Sequence, residues 1–304
     1  MTRKTRLLFE GISILCLIVF LTMGLSGCTA TRHTVQKTVV PALDTSVDDL
    51  VDKLLRTKNG TFVRDGLPGA LLVVTGLTEL APTDYNLLAT TSYLYCAYGL
   101  FEEDENNDYA ISLYKVGADY GMRALKANNS KFRKAMEEGV KIPDAVKFLT
   151  KDDLKAMTWC ALNIAKRCTL QLDRVGKITD VQDGIAMVKR SIELDPNYAW
   201  GGCWMAMGIV YAIYPGWSGL GGGADESMEA FANSNKAENG EFGLADMFKA
   251  RYLAPLIKDE EMYDKLNNRV IEMDSCKLGG GLCAVNELAK QKARYNMEHR
   301  ERWF

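Results

Sequence analysis

GIAMVKRSIELDPNYAWGGCWMAMGIVY, from Gly184 to Tyr211, is the stretch that decides the fold. Gly184, Val188 and Ser191 put a small, a branched apolar and a second small residue on one helical face, and Pro196 follows. Pro196 has no N–H to donate and forces its neighbour out of helical geometry, so it ends the first helix. Trp204, Met207, Gly208 and Tyr211 then recur at i, i+3, i+4 and i+7, which is one stripe of a second helix. Within that stripe Gly208 lets a partner helix approach closely, while Trp204 and Tyr211 fill the space on either side.

The second half of this stretch resembles the tetratricopeptide (TPR) pattern W-x2-L-G-x2-Y, with Met207 in place of Leu, in which paired helices stack into a curved array. Four further segments fit the same template. They are Ala70, Val74, Leu77 and Pro82; Gly117, Gly121, Ala124 and Asn129; Ser227, Phe231, Ser234 and Asn239; and Tyr263, Asn267, Val270 and Ser275. The template ends at 82, 129, 196, 239 and 275 are unevenly spaced. The expectation is therefore an all-α, irregular TPR-like helical repeat array (an α-α superhelix) with long inter-helix loops. Strand alternation is lacking apart from a short apolar run at Leu71–Val74, which helical spacing explains as well.

The chain has 304 residues, 47% of them apolar and 25% charged, enough for a sizeable core, and a formal charge of −2. Its basic residues form no stripe, so nucleic acid is not an expected partner. Arg3, Lys4 and Arg6 precede an apolar run from Gly11 to Leu25, and Leu25-Ser26-Gly27-Cys28 resembles a bacterial lipoprotein box. The expected organisation is a signal peptide over 1–27, a tether over 28–46 and a helical domain over 47–304. Cys28 is the expected site of lipid attachment, with each buried methylene of its acyl chains (palmitate among them) adding about 0.8 kcal/mol of membrane affinity. The competing reading, a transmembrane helix ending at an unmodified Cys28, asks a short run to span the bilayer. The expected location is the periplasm, lipid-anchored to the inner or the outer membrane.

Only two histidines occur, His33 in the tether and His299 near the C-terminus. Metal binding and histidine-based acid–base chemistry are accordingly not expected, no cofactor is implied, and the chain reads as a non-enzyme. Cys160 and Cys168 sit eight residues apart on one expected helix, about 12 Å along its axis and too far to bond. Cys276 and Cys283 flank a glycine-rich loop that can close into a disulfide or stay open. The acidic connector over 102–108 reads as a solvated turn. The glycine-rich run over 215–223 is followed by Asp225 and Glu226, which would repel an anion, so no nucleotide site is expected. Trp217 within it is a candidate lid over a pocket or, equally, part of a covering loop.

If the first helix of each pair lines the inside of the array, counting from Trp204 brings Met205 and Ile209 to that surface. The same count in other helices brings Tyr95, Tyr98, Arg167 and Tyr252. Together with Trp217 these are the candidate ligand-binding residues. The surface is apolar and aromatic with Arg167 as its cation, which suits a greasy ligand; it is equally what an array that buries this face against its own C-terminal helix would show.

Several motifs resemble the TRAP-transporter-associated TPR lipoproteins, TatT, of the tripartite ATP-independent periplasmic transporters. They are Met157-Thr-Trp-Cys-Ala with Lys166, Leu194-Asp-Pro with Tyr198 and Gly202, Gly208 to Tyr211, Pro215, and Gly221-Gly-Gly-Ala-Asp with Ser227, Met228, Ala230 and Phe231. Asn286, Ala289, Ala293 and the terminal Trp303-Phe304 complete the set. The resemblance implies an exported lipoprotein that self-associates as a trimer. It also implies work with a TRAP periplasmic solute-binding protein on uptake of a hydrophobic or organic-acid ligand. The cysteine-rich helices depart from the family's pattern. The alternative function is a TPR scaffold lipoprotein of outer-membrane assembly or envelope organisation, with no cavity.

Overall fold

The computed structural model describes residues 47–172, 178–214, 216 and 219–304. The expected leader, tether and Cys28 lie outside the described residues, as does Trp217. Within Ser46–Phe304, a compact unit, every regular element among the described residues is helical, so the fold is all-α.

Local sequence sets the helix starts. A first helix, α1, covers 47–55. Asn59 accepts the Phe62 N–H to start α2 (Gly60–Leu80), Asp84 accepts from Leu87 to start α3 (Tyr85–Glu102), and Asn106 accepts from Tyr109 to start α4 (Asn107–Asn128). Asn129 caps α5 (Ser130–Glu137) through the Phe132 N–H, and the short α6 (Ile142–Ala145) follows. Then come α7 (Leu154–Thr169), α8 (Ile178–Leu194), α9 (Tyr198–Ile213) and α10 (Ala224–Ala237). α11 (Gly243–Phe248) runs into a π-helical turn (Lys249–Leu253) and α12 (Ala254–Leu256). Asp259 caps α13 (Glu260–Glu272), and α14 (Ala284–Glu298) closes the order.

Neighbours in sequence pack as pairs: α3 on α4, α7 on α8, α9 on α10 and α13 on α14, with α4 also laid against α7. The small residues of the template are what let them close. A Cβ at Gly208 would come within 2.8 Å of the Phe231 ring on α10, so that contact needs glycine. Ser227, Phe231 and Ser234 are buried, as are Gly117, Gly121 and Ala124 on α4 and Tyr263, Asn267 and Val270 on α13. Two features break the regular helical backbone. Ala199, Trp200 and Gly201 have left-handed backbones (φ 52°, 60° and 72°), and the π turn inserts before α12.

Cys276 and Cys283 form a disulfide with Cα atoms 4.1 Å apart, whereas Cys96, Cys160, Cys168 and Cys203 are buried thiols. No described helix is long and apolar enough to cross a membrane. α2 nevertheless leaves an apolar face open: Leu72 is 76% exposed, Phe62 63% and Val73 59%.

The template makes a contrast testable. Gly208→Leu must displace Phe231 and is expected to destabilise by about 1–3 kcal/mol. Gly66→Leu, on the outer face of α2 with open space where its Cβ would go, is expected to leave stability unchanged or raise it by up to about 1 kcal/mol. Denaturant melts of the two variants check this.

Candidate functional site

α3 and α9 are apolar on nearly all sides, and so cannot both satisfy their surface and leave a polar face to water. Both border an apolar cavity. It has about 1040 Å³ of empty space, a figure that takes in open solvent at its mouth. Val51, Leu54 and Leu55 of α1 and Val63 and Leu67 of α2 form one side. α3 contributes Tyr93, Leu94, Cys96, Ala97, Leu100 and Phe101, and α7 contributes Trp159, Leu162, Ala165, Lys166 and Thr169. Met205, Ala206, Ile209 and Val210 of α9, Phe242 and Leu244, and Ala284, Val285 and Leu288 of α14 close it.

Tyr93, Ala97 and Leu100 lie on one face of α3 and stay partly exposed while Leu94, Cys96, Tyr98 and Gly99 are buried. The Tyr93 ring packs on Trp159 with centroids 4.3 Å apart. Burial pushes the Cys96 thiol up to about 12, so it behaves as a small apolar group in this wall. The left-handed turn at Ala199 and Trp200 brings both residues into the wall at the cost of about 1–2 kcal/mol per residue. Gly201 beside them has no room for a Cβ, which would meet Ala237 at 2.9 Å and the Ser234 carbonyl oxygen at 3.0 Å.

Behind Lys166 lies a cluster of buried charges. Glu103 and Asp104 follow the end of α3. Lys166 Nζ is 2.9 Å from Glu103 Oε1, an ionic contact that is not a well-directed hydrogen bond, and 4.4 Å above the Phe248 ring. The Tyr114 hydroxyl donates a short hydrogen bond to the same carboxylate. Lys292 Nζ is 3.0 Å from Asp104 Oδ2 and 3.7 Å from Glu103 Oε2. Arg251, in the π turn, donates to both Asp104 oxygens at 2.9 Å and to Asn296 Oδ1 at 2.8 Å. Burial opposes charge throughout. At Asp104 the Lys292 and Arg251 cations more than overcome it and hold the carboxyl well below its usual range. At Lys166 the neighbouring Glu103 outweighs burial and raises the ammonium, whereas burial prevails at Lys292 and lowers it. The acidic connector is therefore a solvated turn only from Glu105 to Asp108, which are exposed; its first part is not. Glu103 and Asp104 are withdrawn and ion-paired because α7, α14 and the π turn bring three cations to the two of them, partners that lie too far along the chain for local charge pattern to reveal.

Of the sequence-derived ligand candidates, the structure brings Met205 and Ile209 together in the cavity wall. Tyr95 instead stacks on Tyr120, with centroids 5.8 Å apart, and Tyr98 packs edge-on against Tyr109. Arg167 pairs with Asp180 at 2.7 Å. Tyr252 lies between Phe248 and Trp303. In α3 and α7 the cavity meets residues one or two positions away from those the count selected, a rotation of about 100–200°. Lys166, not Arg167, is the cation in the wall, and no local signal separates two adjacent cations on one helix; only burial does. Among the described residues no group of His, Cys, Asp and Glu is placed to hold a metal ion.

The described residues thus form an all-α protein around an apolar cavity, with a cluster of buried charges withdrawn behind the wall. More specifically, the chain belongs to the TRAP transporter T-component family (TAtT), whose family model matches residues 59–304. No curated protein matches it.

The charge cluster makes a signed prediction. Because the Asp104 carboxyl is depressed in the fold, its stabilising effect is complete above the ordinary carboxylate value of about 4 and is lost as pH falls towards the lower folded value. Asp104→Asn leaves Arg251 and Lys292 short of a partner. It is expected to cost about 3–5 kcal/mol at neutral pH and to make stability less dependent on pH below 4, as measured by urea melts at stepped pH.

Proposed function

We propose that this T-component is a non-enzymatic periplasmic lipoprotein, tethered through Cys28, that binds a hydrophobic ligand in its apolar cavity. In this reading it works with a TRAP-type solute-binding protein in uptake. The observation that carries the reading is the cavity itself. Tight packing is the rule in protein interiors, and filling such a space with Leu or Phe side chains would be favourable, so retaining it costs stability. A ligand offsets that cost. Family membership supports association with a TRAP transporter; pairing with the solute-binding protein in particular, and transfer of ligand between the two, are the finer parts of the proposal. Self-association as a trimer belongs to it too. The apolar patch on the outer face of α2, with Phe62, Leu72 and Val73 open to water, is surface of the kind that marks association.

A titration with a fluorescent fatty acid tests the cavity. Saturable binding is expected, and Met205→Arg with Ile209→Arg is expected to weaken it by at least about 100-fold, since each places an unpaired cation in an apolar wall. Undiminished binding by a folded double variant contradicts the site. Crosslinking in native membranes, read by mass spectrometry, is expected to recover a TRAP solute-binding protein. Recovery of outer-membrane assembly components in its place would favour a scaffold.

A further inference from the structure

α1 is the least firmly held element of the cavity wall. Val51, Leu54 and Leu55 recur at helical spacing and face the cavity, while Asp48, Asp49, Asp52, Lys53 and Arg56 are open to water. Among residues 47–59 only Val47 is buried. The neighbouring wall helices are anchored far better. α2 buries Val63, Leu67, Leu71 and Val74, and α14 buries Ala284, Leu288, Ala289 and Ala293. The end of α3 is further locked to α7 and α14 through the ion cluster.

The two ends of α1 rest on different parts of the wall. At its start Asp48 pairs with Lys155, in the first turn of α7, with Oδ1 and Nζ 3.5 Å apart. Those side chains are 56% and 29% exposed, and an ion pair so open to water contributes little. Past its other end, Arg56 reaches the loop closed by Cys276 and Cys283, where its Nη1 lies 3.1 Å from the place of a Cβ on Gly281. That loop abuts the Trp200 indole, whose Nε1 is 3.5 Å from the place of a Cβ on Gly279, and it leads into α14. Covering 47–55, α1 is about 13 Å long and lies as a bar between the start of α7 and the disulfide loop.

We propose that α1 is a lid on the cavity: its first turn unlatches from Lys155 and the helix swings about residues 56–59, letting ligand in and out. Elements with few buried contacts open at the least cost, and hinges fall at element ends. Within the compact unit Ser46–Phe304, α1 is joined to the later helices in sequence only through 56–59, so it lifts without disturbing the ion cluster. Lifting takes Val51, Leu54 and Leu55 out of the wall together. The inference rests on the cavity being the ligand site, and adds the route by which that site fills.

The Asp48–Lys155 pair supplies its own lock. A water-soluble carbodiimide joins an adjoining carboxylate and ammonium as an amide. In the full chain it bridges Asp48 to Lys155, which mass spectrometry identifies as a joined pair of peptides; Lys155→Met treated in the same way cannot form that bridge. Entry of the neutral dye N-phenyl-1-naphthylamine is followed by stopped-flow fluorescence. The bridge is expected to slow entry by about tenfold or more, while the treated Lys155→Met chain fills at least as fast as the untreated wild type. Equal entry rates with and without the bridge overturn the lid. Hydrogen exchange without ligand gives a second reading: amides over 51–58 are expected to exchange ahead of those within α2, α3 and α14. Exchange as slow as in those helices, with dye binding intact, overturns the lid alone. Failure of the dye to bind overturns the cavity reading, and the lid with it.

Discussion

The ion cluster around Glu103 and Asp104 is the constraint on which the rest of the structure depends. These two carboxylates end α3, and the cations that answer them come from α7, from the π turn and from α14, elements far apart in the chain. Charges withdrawn from water must be met with good geometry or not buried at all. Meeting them therefore fixes how α3, α7 and α14 stand relative to one another. Those same three helices supply much of the cavity wall. The cluster thus holds open a space that hydrophobic contact alone would tend to close. Arg251 reaches Asp104 from a π-helical turn, where an extra residue re-aims the side chains that follow it.

Polar and apolar duties are sharply divided in this arrangement. The cavity surface is apolar with Cys96 behaving as a hydrophobe, while a hydrogen-bonded layer lies behind it, through Tyr114, Asn296, Asn267 and Tyr263. An apolar wall gives a ligand little directional recognition along its chain. Selectivity must then come from the shape of the space. The left-handed turn at Ala199 and Trp200 belongs to the same economy, since it brings an indole to the cavity that a continuous helix would direct elsewhere.

Much of the fold is legible in the sequence because small residues at helical spacing have one physical use, close approach. Gly208 against Phe231 shows it directly. The cavity is legible only in part. Met205 and Ile209 lie on a helix whose phase is set by Trp204 and Gly208, and the count from that anchor succeeds. α3 has no such anchor and no polar face, so periodicity cannot tell which side meets the cavity, and counting selects Tyr95 and Tyr98 where Tyr93 and Leu100 stand. The buried cluster is hidden for a different reason. Glu103 and Asp104 look like a solvated acidic turn until Lys166, Arg251 and Lys292 arrive from distant segments, and pairing at that range is a property of the tertiary fold.

The central claim is that ligand occupies the space between α3, α7 and α9. The most direct measurement is photocrosslinking of the full chain with a long-chain fatty acid carrying a diazirine on its alkyl chain, with the adducts located by mass spectrometry. Saturable labelling of peptides containing Leu94, Leu162 and Met205, suppressed by unlabelled fatty acid, is the predicted result. Labelling confined to the open face of α2 at Leu72 and Val73, or labelling that does not saturate, would contradict it.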